Sequence, residues 1–596
     1  MKRLYFLFLP LLLSASALAD KVSLSEALKT AQAFMPGEKF EVQKYGASPN
    51  RKSTEDFFYI FNKVDGNGFV LVSADDRTTA ILGYSTNGRL DMSDIPDNVR
   101  YWLDSYAKQI TALDKGVPAV RTAKTRAPIN NIEPLIEAHW DQGKPYNLMC
   151  PDGDGKDYDS EDYDPENSSL SGCVATAVAQ IMYYYQNPTT STDIPSYSYT
   201  LYKTTDNGTE ESEVTLQMLP ATTFEWDKMR PVYRAKNGYT EEEALAVAKL
   251  MRYVGQANMM EYNIEDEGGS GTSIRNNMMQ QCFGYSKKMH TLERNYYTTS
   301  QWEAMVYEEL ENKRPLPYGG FADAGGHQFI IDGYQDGLFH FNWGWGGAFD
   351  GYFVLSIADS DATDGAGGSG PFAFKYNQEA VFYFMPAGDD EADIPQMRSI
   401  VKNDLQPQKY TRGQETEPFT DVTLTANYKV VYDYEATESY EAEVGWALYH
   451  DDQYVDCLGS TTQTISYAEH KGKNLTNELT GVTISATLSD GKYQLRQVFR
   501  QAGTDEDWTL MDNYGTHHLA AVISGNTLAI KGVGKNSQPG DTDGDGEITM
   551  SDVVGILSYL LGDAPEGFDE IAADINGDGE VTISDALIVT GMISQY

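Results

Sequence analysis

Cys173 follows the small-residue pair Ser171-Gly172 and opens the run Val174-Ala175-Thr176-Ala177-Val178-Ala179-Gln180-Ile181, which reads as a buried helix. At the first turn of a helix, unpaired backbone N–H groups and the positive end of the macrodipole favour thiolate over thiol. The position therefore predicts a cysteine of lowered pKa that can act as a nucleophile. The alternative for such a cysteine is a small apolar residue filling a core. The stretch Gly325-Gly326-His327-Gln328-Phe329-Ile330-Ile331 supplies what a nucleophile lacks, a histidine at the mouth of a β-rich run. Glycines before it allow close approach of a backbone or substrate, and a strand holds the imidazole rigidly. An imidazole that titrates near neutrality can pair with Cys173 and later protonate a leaving amine. His340 alternates with Phe339 and Phe341 and reads as structural.

With these two residues stand Trp140-Asp141-Gln142-Gly143-Lys144-Pro145-Tyr146-Asn147 and Asn342-Trp343-Gly344-Trp345-Gly346-Gly347. In order and spacing the set closely resembles the streptopain family of papain-like cysteine peptidases, over roughly Lys21 to Pro386. The resemblance implies that Cys173 is the nucleophile and His327 its general base and acid. It implies that Gln142, with the Cys173 N–H, donates to the oxyanion of the tetrahedral intermediate. Trp343 matches the tryptophan that takes the place of papain's histidine-orienting asparagine, and Asn342 is a second candidate for that role.

Several elements must position these groups. An amphipathic helix from Leu24 to Phe34 and strands at Phe57–Lys63 and Gly68–Ser73, followed by a turn at Asp75-Asp76-Arg77, resemble the family's propeptide. Residues 20–126 are accordingly an inhibitory prodomain expected to cover the cleft. Arg121 to Asn131 is small, polar and basic in an acidic chain, so it reads as an exposed processing loop or an inert linker. Within the peptidase region, 127–388, Thr240-Glu241-Glu242-Glu243 is a capping box opening a scaffold helix to about Met259. By the resemblance, the loops Gly268–Ser273 and Asp364–Gly370 border the cleft and shape a substrate pocket or form a flap; plain flexible loops are the alternative. The acidic run Asp152 to Glu166 reads as a solvated loop, with incidental calcium binding as the alternative.

From 394 to 535 the pattern becomes alternating and β-rich, with Val422, Leu424, Ala426 and Tyr428 on one face, then Val482, Ile484, Ala486 and Leu488. Asp490-Gly491 is a hairpin signal. This predicts an immunoglobulin-like β-sandwich without a catalytic cluster, in which His517-His518 is a surface pair or a weak metal candidate.

Residues 540–596 hold a repeat, Asp541-Thr542-Asp543-Gly544-Asp545-Gly546-Glu547-Ile548-Thr549-Met550-Ser551-Asp552 and Asp574-Ile575-Asn576-Gly577-Asp578-Gly579-Glu580-Val581-Thr582-Ile583-Ser584-Asp585. Oxygen side chains at positions 1, 3, 5, 9 and 12, with glycine at 6, follow an EF-hand-type calcium loop. The predicted calcium ligands are Asp541, Asp543, Asp545, Glu547, Thr549 and Asp552, then Asp574, Asn576, Asp578, Glu580, Thr582 and Asp585. One apolar helix follows each loop, Val553–Leu561 and Ala586–Ile593, and no helix signal precedes either. The arrangement resembles a type I dockerin, which implies a cohesin-like or cell-surface protein partner; a calcium-stabilised cap without a partner is the alternative.

The expected fold class is therefore α+β: a papain-like peptidase domain with an N-terminal α+β prodomain, an all-β sandwich and a small α calcium-loop module. Met1-Lys2-Arg3, an apolar stretch from Leu4 to Leu13, and Ala17-Leu18-Ala19 before Asp20 predict a signal peptide over 1–19. The chain is expected to be secreted or at the cell surface, with periplasmic retention as the alternative, and without a transmembrane segment. Four cysteines in 596 residues leave no dense disulfide framework, and Cys150 to Cys282 is the candidate bridge. A net charge of −43 argues against nucleic acid as a partner. These observations predict a secreted cysteine endopeptidase zymogen acting on protein or peptide substrates, with structural calcium and no cofactor for catalysis. A binding protein on a relic peptidase fold and a transglutaminase-like acyl transferase are the competing readings.

Overall fold

The computed structural model describes residues 21–45, 56–93, 95–113, 130–205, 208–234, 238–264, 269–294, 299–322, 325–357, 378–388, 397–401, 408–432, 440–450, 453–465, 473–505, 507–511, 518–533, 540, 542, 548–561, 565, 568, 570–573 and 581–593. The signal segment, most of the basic stretch Arg121–Asn131, the loop Asp364–Gly370 and His517 lie outside them. So do the ligand positions Asp541, Asp543, Asp545, Glu547, Asp574, Asn576, Asp578 and Glu580. No described helix is long and apolar enough to cross a membrane.

The N-terminal unit begins with α1 (Leu24–Phe34), opened by a Ser23/Glu26 capping box. Its Ala27 and Ala31 are buried, and the helix packs on the sheet through these small residues. Strands β1 (Phe40–Tyr45), β2 (Phe58–Lys63), β3 (Phe69–Ser73) and β4 (Ile81–Ser85) form an antiparallel meander. Helix α2 (Asp97–Leu113) follows. Nearly continuous apolar runs in β2 and β3 fit strands covered on both faces.

The peptidase region contributes α3 (Cys173–Tyr185), the hairpin β5 (Tyr197–Thr205) and β6 (Gly208–Leu216), α4 (Glu241–Ala257), α5 (Asn276–Phe283), β7 (His290–Glu293) and α6 (Thr299–Glu311). Strands β8 (Leu316–Ala322), β9 (Gly325–Gln335), β10 (Leu338–Asn342), β11 (Gly351–Phe353) and β12 (Gln378–Phe382) complete it. Helix α3 is buried from Val174 through Met182, as its all-round apolar sequence requires, and it packs between α4 and β9. Helix α4 starts from the Thr240/Glu243 capping box.

Prodomain and peptidase strands form one ten-stranded sheet in the order β1-β2-β3-β4-β11-β10-β9-β8-β12-β7. The seam is β4 against β11, with Tyr84 opposite Tyr352 and Gly83 opposite Phe353. The described N-terminal unit therefore extends the sheet edge. Helix α2 lies on the sheet face, where Trp102 meets the rings of Tyr318, Phe329, Phe341 and Trp343. Tyr106 Oη donates to the Val354 carbonyl at 2.5 Å, and Gln109 Oε1 accepts from the Ile357 N–H at 2.7 Å. One hydrophobic core runs from Ala27 to Phe382 across both units, so a boundary near 126 is a boundary in sequence and not in packing.

Beyond 394, strands Met397–Val401, Phe419–Tyr432 and Lys473–Ile484 form one sheet. A larger sheet lies opposite, and Val422, Leu424, Val482 and Ile484 of the first share a core with Val444, Trp446, Leu495 and Ile523 of the second. Asp490-Gly491 is not a hairpin turn. The strands flanking it belong to different sheets, so it is a crossover, and Asp490 Oδ2 accepts from the Gly525 N–H at 2.8 Å. The tail holds α7 (Met550–Leu560), the short α8 (Glu570–Ala573) and α9 (Ile583–Ile593). A helix thus precedes the second repeat although the sequence carries no signal for it, because four residues are too few to show a period. Helices α7 and α9 join through Val553, Ile556, Ala586 and Val589.

Candidate active site

Cys173 is the first residue of α3, and no side chain caps that helix. The preceding Gly172 has φ +85°, and a Cβ there would lie 2.6 Å from Met260 Cε and 3.2 Å from the Ser270 carbonyl oxygen. Only glycine meets both demands. The thiol accepts a hydrogen bond from the Gln328 N–H at 3.4 Å, which sets the sulfur against β9 at the residue next to His327.

His327 stands opposite Gly320 of β8. Its Nε2 lies 2.9 Å from the Trp343 carbonyl oxygen. A carbonyl can only accept, so Nε2 carries the proton and Nδ1 is the free, basic nitrogen. The imidazole also stacks on Trp345, with centroids 5.3 Å apart and planes 9° from parallel. Trp345 is the residue that sequence reasoning missed; its signal was the Trp-Gly-Trp-Gly-Gly composition, unusual for a strand.

The indole of Trp343 turns away from His327 into the core, against Trp102, Phe329, Phe341 and Phe353. Its contact with His327 is the carbonyl. The Trp343 N–H donates to Asp350 Oδ1 at 2.9 Å, and Asp350 Oδ2 lies 3.0 Å from His139 Nδ1. Asn342 also faces away from the imidazole: Nδ2 donates to the Ala138 carbonyl at 2.8 Å, and Oδ1 accepts from the Gly344 N–H at 3.1 Å.

Gln142 is buried, and its carbonyl accepts from the Ser171 N–H at 2.9 Å and from Ser171 Oγ at 3.2 Å. Its own N–H is held by Asp141 Oδ1 at 2.7 Å. These bonds bring the Gln142 segment beside the turn that leads into Cys173.

Burial governs the charges. It pushes the Cys173 thiol up, against the N–H groups of Gln328, Val174 and Cys173 that pull it down. It brings His327 down to about 4, opposed by the bond to the Trp343 carbonyl. In the full chain both groups therefore favour their neutral forms, in contrast to the lowered thiol pKa expected from a helix start alone. Desolvation outweighs the N–H groups of the first turn and of β9 that favour the thiolate. His340 differs: burial alone lowers it, but Asp332 Oδ1 at 2.6 Å raises it overall. Asp332 in turn accepts from the Ile136 N–H at 2.9 Å, so the pair is a buried brace.

Of the loops near the site, Ser270 bridges the Leu170 and Asn263 carbonyls and thereby fixes its loop behind Gly172. In the acidic run, Asp152 accepts main-chain N–H bonds from Asp154, Lys156 and Asp164, and Asp157 pairs with the buried Arg252 at 2.9 Å. Among the described residues no cluster of three His, Cys, Asp or Glu side chains is arranged to hold a metal. All four cysteines are free, so Cys150 and Cys282 are not bridged. Burial pushes the Cys150 thiol up to about 12, which leaves it unreactive.

In the tail, Asp552 and Asp585 are fully buried. Asp552 accepts from the N–H groups of Thr542 at 2.5 Å and Thr549 at 2.7 Å, and Asp585 from the Thr582 N–H at 2.9 Å.

Residues 140–353 match the model of the Peptidase C10 family, 19–110 that of the Spi protease inhibitor, and 539–594 that of the dockerin type I domain. Streptopain of Streptococcus pyogenes is 32% identical over 320 residues, which cover 53% of this chain and 77% of streptopain. The thiol protease/hemagglutinin PrtT of Porphyromonas gingivalis is 30% identical over 421 residues, 66% of this chain and 45% of PrtT. Among solved structures, a mutant fragment of prointerpain A from Prevotella intermedia is 27% identical with a TM-score of 0.45, covering 59% of this chain and all of that one. The chain belongs to the streptopain family of cysteine peptidases, the Peptidase C10 family, and is a cysteine peptidase that carries a Spi inhibitor-like prodomain and a dockerin type I domain.

Proposed function

We propose that the chain is the precursor of a secreted papain-like endopeptidase in which Cys173 and His327 form the catalytic dyad. The observation that carries this reading is the 3.4 Å bond from the Gln328 N–H to the Cys173 sulfur, which sets the thiol beside the histidine strand. Nδ1 of His327 takes the thiol proton, and the sulfur attacks the scissile carbonyl. Gln142 and the Cys173 N–H receive the oxyanion. The imidazolium then protonates the departing amine, leaving a thioester. Water, deprotonated by the same Nδ1, hydrolyses it to carboxylic acid and free thiol. Trp345 stacking and the Trp343 carbonyl hold the ring in place throughout.

The 20–126 segment is the inhibitory prodomain in this reading, and 1–19 is its secretory signal. The two-sheet module from 394 to 535 is an immunoglobulin-like spacer. The tail residues fit calcium: buried carboxylates at Asp552 and Asp585 close two loops otherwise rich in oxygen side chains, as a hard cation requires. Asp552 and Asp585, with the oxygen side chains of the two repeats, would hold the cation, which would supply the charge that offsets their mutual repulsion. The helix faces carrying Val554, Leu557 and Leu587 are exposed, which suits docking to a cohesin-like or cell-surface protein.

The test is to produce residues 20–596 and Cys173→Ala in parallel and follow self-processing and casein cleavage under reducing conditions. The expected result is cleavage by the first chain only, abolished by a thiol-blocking reagent. Cleavage by Cys173→Ala at the wild-type rate would refute the assignment.

A further inference from the structure

Gln180 lies two turns after Cys173 on α3 and is completely buried among Ala, Val and Ile. A side-chain amide in such a place costs about 1–3 kcal/mol if its groups are left unpaired. Here they are paired. Oε1 accepts from the Trp140 N–H at 3.0 Å and from Asn342 Nδ2 at 3.3 Å, while Nε2 donates to Asn342 Oδ1 at 3.4 Å. Gln180 and Asn342 thus face each other as reciprocal amides.

What these bonds join matters more than their number. Trp140 stands two residues before Gln142. Asn342 immediately precedes Trp343, whose carbonyl holds His327, and it also binds the Gly344 N–H. Gln180 is fixed to the helix that begins at Cys173. One side chain therefore ties together the segments bearing the nucleophile, the oxyanion donor and the acceptor that orients the base. An apolar residue at position 180 would leave the buried Trp140 N–H and the Asn342 amide without these partners, at about 1–3 kcal/mol.

We propose that Gln180 is a positioning residue for peptide hydrolysis, setting the spacing of Cys173 from both Gln142 and His327 through Trp140 and Asn342. It touches no substrate. The proposal rests on the assignment of Cys173 and His327 as the dyad.

The experiment compares wild-type, Gln180→Leu and Gln180→Glu, each produced as the full chain and assayed after processing, with Cys173→Ala assayed as the unprocessed full chain. Competent sites are counted by titration with an irreversible thiol-reactive inhibitor, so that partial misfolding does not enter the rates. Displacement of reacting groups by about 1 Å costs on the order of 100-fold in rate. Gln180→Leu is expected to lower kcat by roughly that factor with KM within a factor of about three. Gln180→Glu keeps the acceptor for Trp140 but supplies a donor to Asn342 only when protonated, so its activity is expected to recover as pH falls. That acid-shifted profile is absent from Gln180→Leu, and a purely structural role would not produce it. If Cys173→Ala is inactive while Gln180→Leu keeps wild-type kcat per titrated site, or Gln180→Glu keeps the wild-type pH profile, the positioning role is overturned and the dyad stands. Activity retained in Cys173→Ala would overturn both. If Gln180→Leu yields no folded protein, the pH profile of Gln180→Glu decides.

Discussion

The imidazole of His327 lies parallel to the indole of Trp345, their centroids 5.3 Å apart, while its Nε2–H points at the carbonyl of the neighbouring Trp343. One tryptophan supplies a face and the other an acceptor, so the ring is fixed against both rotation and tilt.

Trp345→Ala should therefore lower kcat by about 10-fold, and Trp345→Phe, which keeps a stacking face, by much less. Steady-state kinetics on the processed enzyme would check this. Equal losses in both variants would show that the aromatic face does not orient the base.

Stability should respond to pH with opposite signs at two histidines. His327 is held down to about 4, below its unfolded value of about 6.5, so the folded chain binds fewer protons between those values. Its contribution is present above about pH 6.5 and is lost as pH falls toward 4. His340 is raised by Asp332, so its contribution is present below about 6.5 and lost as pH rises through the folded value. Urea unfolding of the Cys173→Ala precursor from pH 4 to 8 should show His327→Gln flattening the acid limb and His340→Gln the alkaline one.

The prodomain seam has no room for a side chain at Gly83, where a Cβ would stand 2.6 Å from Phe353 Cδ1 and 2.9 Å from the Tyr352 carbonyl oxygen. Gly83→Val should loosen β4 from β11, and Trp102→Ala should destabilise the precursor by about 3–5 kcal/mol through the cavity it leaves. Limited proteolysis of the Cys173→Ala chain would detect both as earlier cutting within residues 21–113. Resistance equal to the parent would contradict the shared core.

Chelation should unfold the tail without affecting the enzyme. Circular dichroism of the full precursor with EDTA should lose only the helical signal of α7 to α9, while a chain trimmed before residue 540 keeps its hydrolytic rate. A tail signal indifferent to calcium would remove the metal assignment.

Local patterns carried much of this molecule. The α1 helix from Leu24 to Phe34, the Thr240 capping box and the helix opening at Cys173 follow from spacing and caps, and the structure has all three. What sequence could not give is long-range. Nothing in Ile81–Ser85 announces that it pairs with a three-residue strand some 270 positions later, because strand partners are chosen by packing. Gln180 looks like a polar interruption of an apolar helix until Asn342 arrives opposite it. The left-handed Gly344, Gly346 and Gly347 break the alternation after β10, so no period-two argument could say which of Trp343 and Trp345 faces His327.

The continuous sheet also bears on what a cut between about Arg121 and Asn131 accomplishes. Such a cut severs the chain but leaves β4 bonded to β11 and Trp102 seated on Trp343. Separation then becomes a bimolecular equilibrium, governed by dilution and by the proteolysis of whatever departs. It uncovers an unpaired strand edge on the enzyme, which a second extended chain can occupy.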